Sequence, residues 1–224
     1  MTVELVHATV NAEALITKMA RVSAPANQNN METAPKLLKY LIEHQHWSPF
    51  EMANMCVEIH TTRGISAQIL RHRSFSFQEF SQRYADVNVL GSAEIPQLRR
   101  QDLKNRQNSI DDLDAEQVGN YYRRIGQLYA ETEDLYREMV SKGVAKECAR
   151  NILPMSTRTN LYMNGTLRSW IHYIQLREAP GTQMEHRVIV EKIKLLFVEQ
   201  FPIIAEAAFN IEPEPEQTQV RLFF

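Results

Sequence analysis

Residues 68 to 84 hold three arginines, one histidine, three serines and a single glutamate, interleaved with Phe75, Phe77 and Phe80. Arg71 and Arg73 stand one residue apart, so their charges repel unless an anion or a set of acceptors joins them. Arginine carries a planar fork that grips phosphate or an imide edge through two bonds, whereas lysine is a mobile point charge. Ser74, Ser76 and Ser81 add hydroxyl donors. Glu79, the only carboxylate of the run, can accept from a sugar hydroxyl or an amide. The phenylalanines either line a planar ligand or fill the core, and for a single phenylalanine the core is the commoner fate.

A second block repeats the theme. No lysine occurs between Lys146 and Lys192, and the basic side chains there are Arg150, Arg158, Arg168, Arg177 and Arg187. The first block also lies in a lysine-free stretch, from Lys39 to Lys104. Arg168, His172 and Gln175 are spaced by four and three, so a helix sets them on one face. That face is either a site or a solvated surface opposite Leu167, Trp170, Ile171 and Ile174, and spacing alone does not decide. Arg177 follows next to Glu178.

What the chain lacks narrows the chemistry. Its seven glycines form neither a GxGxxG fingerprint nor a P-loop, which excludes the Rossmann and P-loop modes of nucleotide binding. A net charge of −2 argues against coating a polynucleotide, which relies on neutralising many phosphates. Cys56 and Cys148 have no metal-ligand spacing and read as buried thiols in a reducing compartment. Neither a membrane-length apolar run nor a signal-like N-terminus is present, so a cytoplasmic protein without membrane contact is expected.

The elements that must position these residues follow from periodicity and breakers. Strands are expected over 2–10, 52–62 and 157–164, and helices over 11–20 (capped by Asn11), 34–45, 64–72, 145–153, 167–177 and 183–200. The clearest helix runs from Ala115 to Lys142, with Val118, Tyr122, Ile125, Tyr129, Thr132, Leu135 and Met139 at spacings of three and four, and Gly143 as its stop. Residues 86–113 read as an irregular excursion and 212–224 as an extended tail. The whole, 1–224, is expected to be one α/β domain of the α+β kind, long helices packed on a mainly antiparallel sheet.

Arg71-His72-Arg73 followed by Ser76, Glu79, Ser81, Arg83 and Tyr84 resembles the signature of the flavin-dependent thymidylate synthases. Further segments resemble that family in the right order. They are Ala20-Arg21-Val22-Ser23, His46-Trp47-Ser48-Pro49-Phe50-Glu51, Cys148-Ala-Arg-Asn-Ile-Leu-Pro154, and Ser169 to Arg177, so the likeness covers roughly residues 20–190.

The resemblance implies reductive methylation of deoxyuridylate to thymidylate. FAD reduced by NADPH would be the hydride source and 5,10-methylenetetrahydrofolate the one-carbon donor. It implies that Ser48, Arg71, His72, Arg73, Glu79, Arg168 and His172 contact the flavin, joined by Thr166 or by the Asn164 amide. It places Gln68, Arg71, Glu79, Ser81, Gln82, Arg83, Arg150 and Arg177 on deoxyuridylate. Arg177 would favour the ionised uracil and so activate carbon 5. No cysteine nucleophile is implied, and Ser81, lacking an adjacent base, reads as a binding residue. The family's homotetramer builds its sites across subunits, so these residues need not meet within one chain. His186 receives no role. Two other readings stay open, a flavoprotein oxidoreductase acting on another substrate and a non-enzymatic nucleotide- or RNA-binding module.

Overall fold

In the computed structural model, residues 1–211 are described. The tail expected over 212–224 lies outside them. The elements are β1 (Thr2–Ala8), α1 (Ala12–Ala20), α2 (Ala34–Glu43), β2 (Asn54–Thr62), α3 (Arg63–Ile69), β3 (Ser76–Glu79), β4 (Arg100–Gln101), β5 (Ser109–Ile110), α4 (Ala115–Ser141), α5 (Lys146–Ala149), β6 (Arg158–Thr166), α6 (Leu167–Arg177), α7 (Met184–Gln200) and α8 (Pro202–Phe209). A four-stranded antiparallel sheet has the order β1-β2-β6-β3, while β4 and β5 pair separately. The α+β architecture and its antiparallel sheet are as the sequence suggests.

Alternation along the two central strands decides which face is covered. Met55, Val57 and Ile59 of β2 pair in register with Gly165, Met163 and Leu161 of β6, and all of these are buried. Helices α3, α6 and α7 cover that face, where Trp170, Ile171, Ile174, Ile189, Ile193 and Phe197 complete the core. Trp170 donates its indole N–H to the Met55 carbonyl, 2.9 Å away, so the largest side chain is buried with its polar atom satisfied. The opposite face carries Glu58, His60, Asn160 and Tyr162, none of them buried.

Gly165 explains how β3 begins. A Cβ at this position would lie 2.4 Å from the Phe75 ring, so only glycine lets that ring lie on β6. Phe75 also meets Trp170 and Tyr173 edge-on, with centroids 4.7 and 5.6 Å apart. Of the two fates open to it, Phe75 takes the core. The segment Arg71–Ser74 is thereby pinned beside α6.

Several expected elements need correction. Asn11 does precede α1, but it sits in the left-handed region at φ 53° and makes no side-chain cap. Residues 48–52 form a 3-10 turn, so β2 starts at Asn54. The helix expected over 145–153 is one short turn, α5, continued as a 3-10 turn over Arg150–Ile152. Cys56 is buried, but Cys148 is exposed on that short helix, which packs through Ala149 instead. Helix α4 ends near Gly143, whose φ of 87° is left-handed as a stop requires. Near its C-terminal end it docks through Tyr136, Met139 and Val140, and further up it meets the excursion, where the Tyr122 hydroxyl accepts from the Leu98 amide at 3.4 Å and Glu133 from the Ala93 amide at 2.8 Å. Tyr121, Leu128 and Leu135 are exposed. The excursion over 86–113 contains a 3-10 turn at Val87–Leu90 and the β4–β5 pair.

Candidate active site

The two ends of β3 carry different halves of the candidate site. At the upstream end, Ser169 Oγ donates to the Ser74 carbonyl at 3.2 Å, which stitches the turn before β3 to the start of α6. His72 then lies edge-on to Tyr173 with centroids 4.7 Å apart. Arg177, in the last turn of α6, donates from Nε to His72 Nε2 at 2.9 Å. The two residues are 105 positions apart in sequence and meet within one chain. An imidazole that accepts at Nε2 is neutral and carries its proton on Nδ1. Burial, then the nearby Arg177 and Arg71 charges, lower the His72 pKa to about 4. Among the described residues, neither the Nη groups of Arg177 nor the side chains of Arg71 and Arg73 have a hydrogen-bond or ion-pair partner.

Gln68, from α3, donates to Gln183 Oε1 at 2.6 Å and faces His186 Nδ1 through its own Oε1 at 3.4 Å. His186 is fully buried, and its Nε2 lies 2.9 Å from the Tyr173 hydroxyl. Burial, with Arg177 and His72 nearby, lowers the His186 pKa to about 4. Burial also pushes the Tyr173 phenol up, against the weaker pull of Arg177, so Tyr173 keeps its proton.

Ser48, Arg168 and His172 form a patch on the other side of α6. Ser48 opens the 3-10 turn whose Glu51 pairs with Arg168, and Trp47 meets the His172 ring edge-on at 4.6 Å. Burial and Arg168 lower the His172 pKa. Thr166 caps α6, accepting from the Ser169 amide at 3.2 Å. Asn164 Oδ1 is buried without a partner among the described residues.

At the downstream end Glu79 is the organising group. Its Oε1 receives Ser66 Oγ, Thr159 Oγ1 and the Arg63 guanidinium. Beyond it, Ser81 and Arg83 are exposed, whereas Gln82 is buried with its Nε2 unpaired among the described residues. Arg83 pairs with Glu147 of α5 through two nitrogens, at 3.0 and 2.9 Å. Arg150 follows one turn after Glu147. A cleft of 420 Å³ opens here, lined in part by Glu79, Ser81, Tyr84 and Tyr162. From Ser76 to Ser81 an extended chain runs about 16 Å, so Ser81 and Arg83 stand at the other end of β3 from the turn that Arg177 meets.

Residues 4–203 match the family model described as thymidylate synthase complementing protein. The chain is also 53% identical over 196 residues to a protein of Paramecium bursaria Chlorella virus 1 named probable flavin-dependent thymidylate synthase, covering 88% of this chain and 90% of the relative. The chain belongs to the flavin-dependent thymidylate synthase family. A family member from Synechocystis is 48% identical over 198 residues, with 88% of this chain and 90% of that one covered. Among solved structures, a UMP/dUMP methylase from Streptomyces cacaoi bound with 5-Br dUMP superposes with a TM-score of 0.81 at 28% identity, covering 92% of this chain and 93% of that one.

As a thymidylate synthase family member, the chain adds several side chains that its sequence does not reveal. Arg63, Ser66 and Thr159 hold Glu79, and no local spacing links them to it. Tyr173 stands four residues before Arg177 on α6, a spacing that does set both on one face. Gln183 and His186 come from the start of α7 and are brought in only by packing.

Proposed function

We propose that this protein makes thymidylate from deoxyuridylate by reductive methylation, with 5,10-methylenetetrahydrofolate as one-carbon donor and NADPH as reductant. The observation that carries the reading is Arg177, held through Nε by a neutral His72 with its Nη donors uncommitted. Two N–H groups on one planar cation match the two acceptors flanking an ionised imide. A fixed cation facing that edge stabilises negative charge as it develops, which makes carbon 5 more nucleophilic. His72 serves best neutral, because an imidazolium there would repel Arg177 instead of accepting its N–H.

The donor set suits FAD. Arg71 and Arg73 present unpaired guanidiniums for its anionic groups, while Ser48, Arg168 and His172 offer polar contacts across α6. The cofactor contact near 164–166 falls better to Asn164, since Thr166 is committed to its cap. When bound, the reduced flavin supplies the hydride, chemistry that protein side chains cannot perform. Ser81, Gln82, Arg83 and Arg150 are assigned to deoxyuridylate, with Glu79 fixed behind them. A homotetramer with sites shared between subunits accounts for the distance between these residues and Arg177. The exposed apolar side chains of α4 support such an assembly.

The purified protein is expected to be yellow, and to release tritium from carbon 5 of deoxyuridylate only with NADPH and methylenetetrahydrofolate present. NADPH oxidation without tritium release would instead assign it to another flavin-linked oxidation. A colourless protein unable to take up flavin would make it a binding module.

A further inference from the structure

The excursion over 86–113 is tied to the site by one continuous chain of hydrogen bonds. Arg99 donates to Glu185 Oε1 at 2.6 Å, and both side chains are largely buried. Glu185 Oε2 receives Gln183 Nε2 at 2.9 Å. Gln183 Oε1 receives Gln68 Nε2, Gln68 Oε1 faces His186 Nδ1, and His186 Nε2 faces the Tyr173 hydroxyl. A guanidinium can only donate and a carboxylate can only accept. That fixes the sense of every later bond. The Gln183 amide must turn its NH₂ to Glu185, so its oxygen faces Gln68. The Gln68 NH₂ then turns to Gln183, so its oxygen needs the Nδ1 proton of His186. His186 is left to accept from Tyr173.

Both ends of this polarity are secure. Burial works against the charge of Glu185, but bonds from Arg99, its own backbone and Gln183 hold the carboxyl below its usual range. Buried His186 stays neutral, as one donor and one acceptor require. Gln68 keeps one amide N–H outside the chain of bonds.

We propose that Arg99 and Glu185 are positioning residues that, through Gln183 and His186, lock the Gln68 amide so that its remaining N–H is presented to an oxygen acceptor of deoxyuridylate. The proposal rests on the thymidylate synthase reading for its ligand. It also gives the excursion a role, because Arg99 helps keep ionised the Glu185 carboxylate that sets the polarity of the nucleotide-facing amide. A reversed amide would present an oxygen to that acceptor and repel it.

The test is calorimetric binding of deoxyuridylate to the flavin-loaded enzyme, with turnover of the wild type measured alongside. Glu185→Gln replaces an acceptor-only group by one that can also donate, and is expected to weaken binding about tenfold. Gln68→Ala is expected to do the same, and the double variant should bind no more weakly than Gln68→Ala alone. Arg99→Ala should weaken binding in the same direction while leaving flavin content unchanged. His186→Asn keeps a donor near Nδ1 and should retain affinity, whereas His186→Leu should lose it. Additive effects in the Glu185–Gln68 cycle, or His186→Asn binding as weakly as His186→Leu, would overturn the proposal. Should Glu185→Gln fail to fold, the His186 pair and Arg99→Ala decide. A wild type that binds deoxyuridylate but makes no thymidylate defeats the functional reading while the binding cycle still judges the lock.

Discussion

The strand Ser76–Glu79 separates two kinds of arginine. Upstream, Arg177 is half-buried and held by a neutral histidine whose ring lies edge-on to Tyr173, which Phe75 in turn packs against. Downstream, Arg83 is mostly exposed and meets a carboxylate that is itself half in solvent. The first arrangement is preorganised, with packing fixing the direction of the cation before any ligand arrives. The second is adaptable, since an exposed ion pair contributes little and exchanges readily. A site that must both hold a nucleotide and polarise its ring needs each kind. Under the proposed function the chemistry divides accordingly, with charge stabilisation assigned upstream and capture downstream.

The strongest way to break this comparison is to disable each end in turn. Arg177→Ala should lower turnover about a hundredfold to a thousandfold while flavin stays bound. Arg83→Ala should act on nucleotide affinity instead. If the two ends of one chain serve different sites, mixing the two variants by subunit exchange, assayed at deoxyuridylate far below the Arg83→Ala KM, should restore activity toward about a quarter of wild type. A mixture no more active than its parts would place both ends in the same site and remove the shared-subunit assembly. Near-normal turnover of Arg177→Ala would sink the assignment of Arg177 itself.

A smaller effect tests the packing that distinguishes the upstream end. Gly165→Ala forces the Phe75 ring off β6, because the new Cβ would lie 2.4 Å from a ring carbon. Overpacking of this kind costs about 1–3 kcal/mol, read as a lower midpoint of thermal unfolding. The displaced ring precedes β3 directly, so His72 should shift and turnover should fall more than deoxyuridylate affinity. Loss of affinity with turnover intact would show that Phe75 does not brace His72.

The same contrast governs what can be read from the sequence. Arg71 to Tyr84, Arg150 and Arg177 stand in a recognisable linear pattern, and α4 announces itself through its period and its glycine stop. The strand β3 does not, because four residues acquire strand geometry only by pairing with β6, Phe77 opposite Met163. Helix α8 is hidden by Pro202, which reads as a breaker but is well placed in a first helical turn. The bracing of Glu79 by Arg63, Ser66 and Thr159 draws on α3 and β6, so no window of sequence contains it. Cys148 is expected inside because cysteines usually are, but its short helix turns Ala149 inward instead. His186 gives no local sign of its partners, since Gln68 and Tyr173 reach it only through the packing of α7 against α3 and α6.

The smallest expected effect lies downstream and sharpens the idea of capture. Glu147 holds Arg83 by two bonds, so it competes with any phosphate for that guanidinium. Glu147→Gln keeps the shape and removes the charge. Stability should change by no more than about 0.5 kcal/mol, because exposed pairs of this kind contribute little. The KM for deoxyuridylate should fall about twofold to threefold, and more clearly at low ionic strength, where exposed charges are least screened. The equivalent change upstream, freeing Arg177 by His72→Ala, would act in the opposite direction, since there the partner orients the cation and does not compete for it. If Glu147→Gln raised KM, Glu147 would be orienting Arg83 too, and the distinction between a fixed and an adaptable end of β3 would fall.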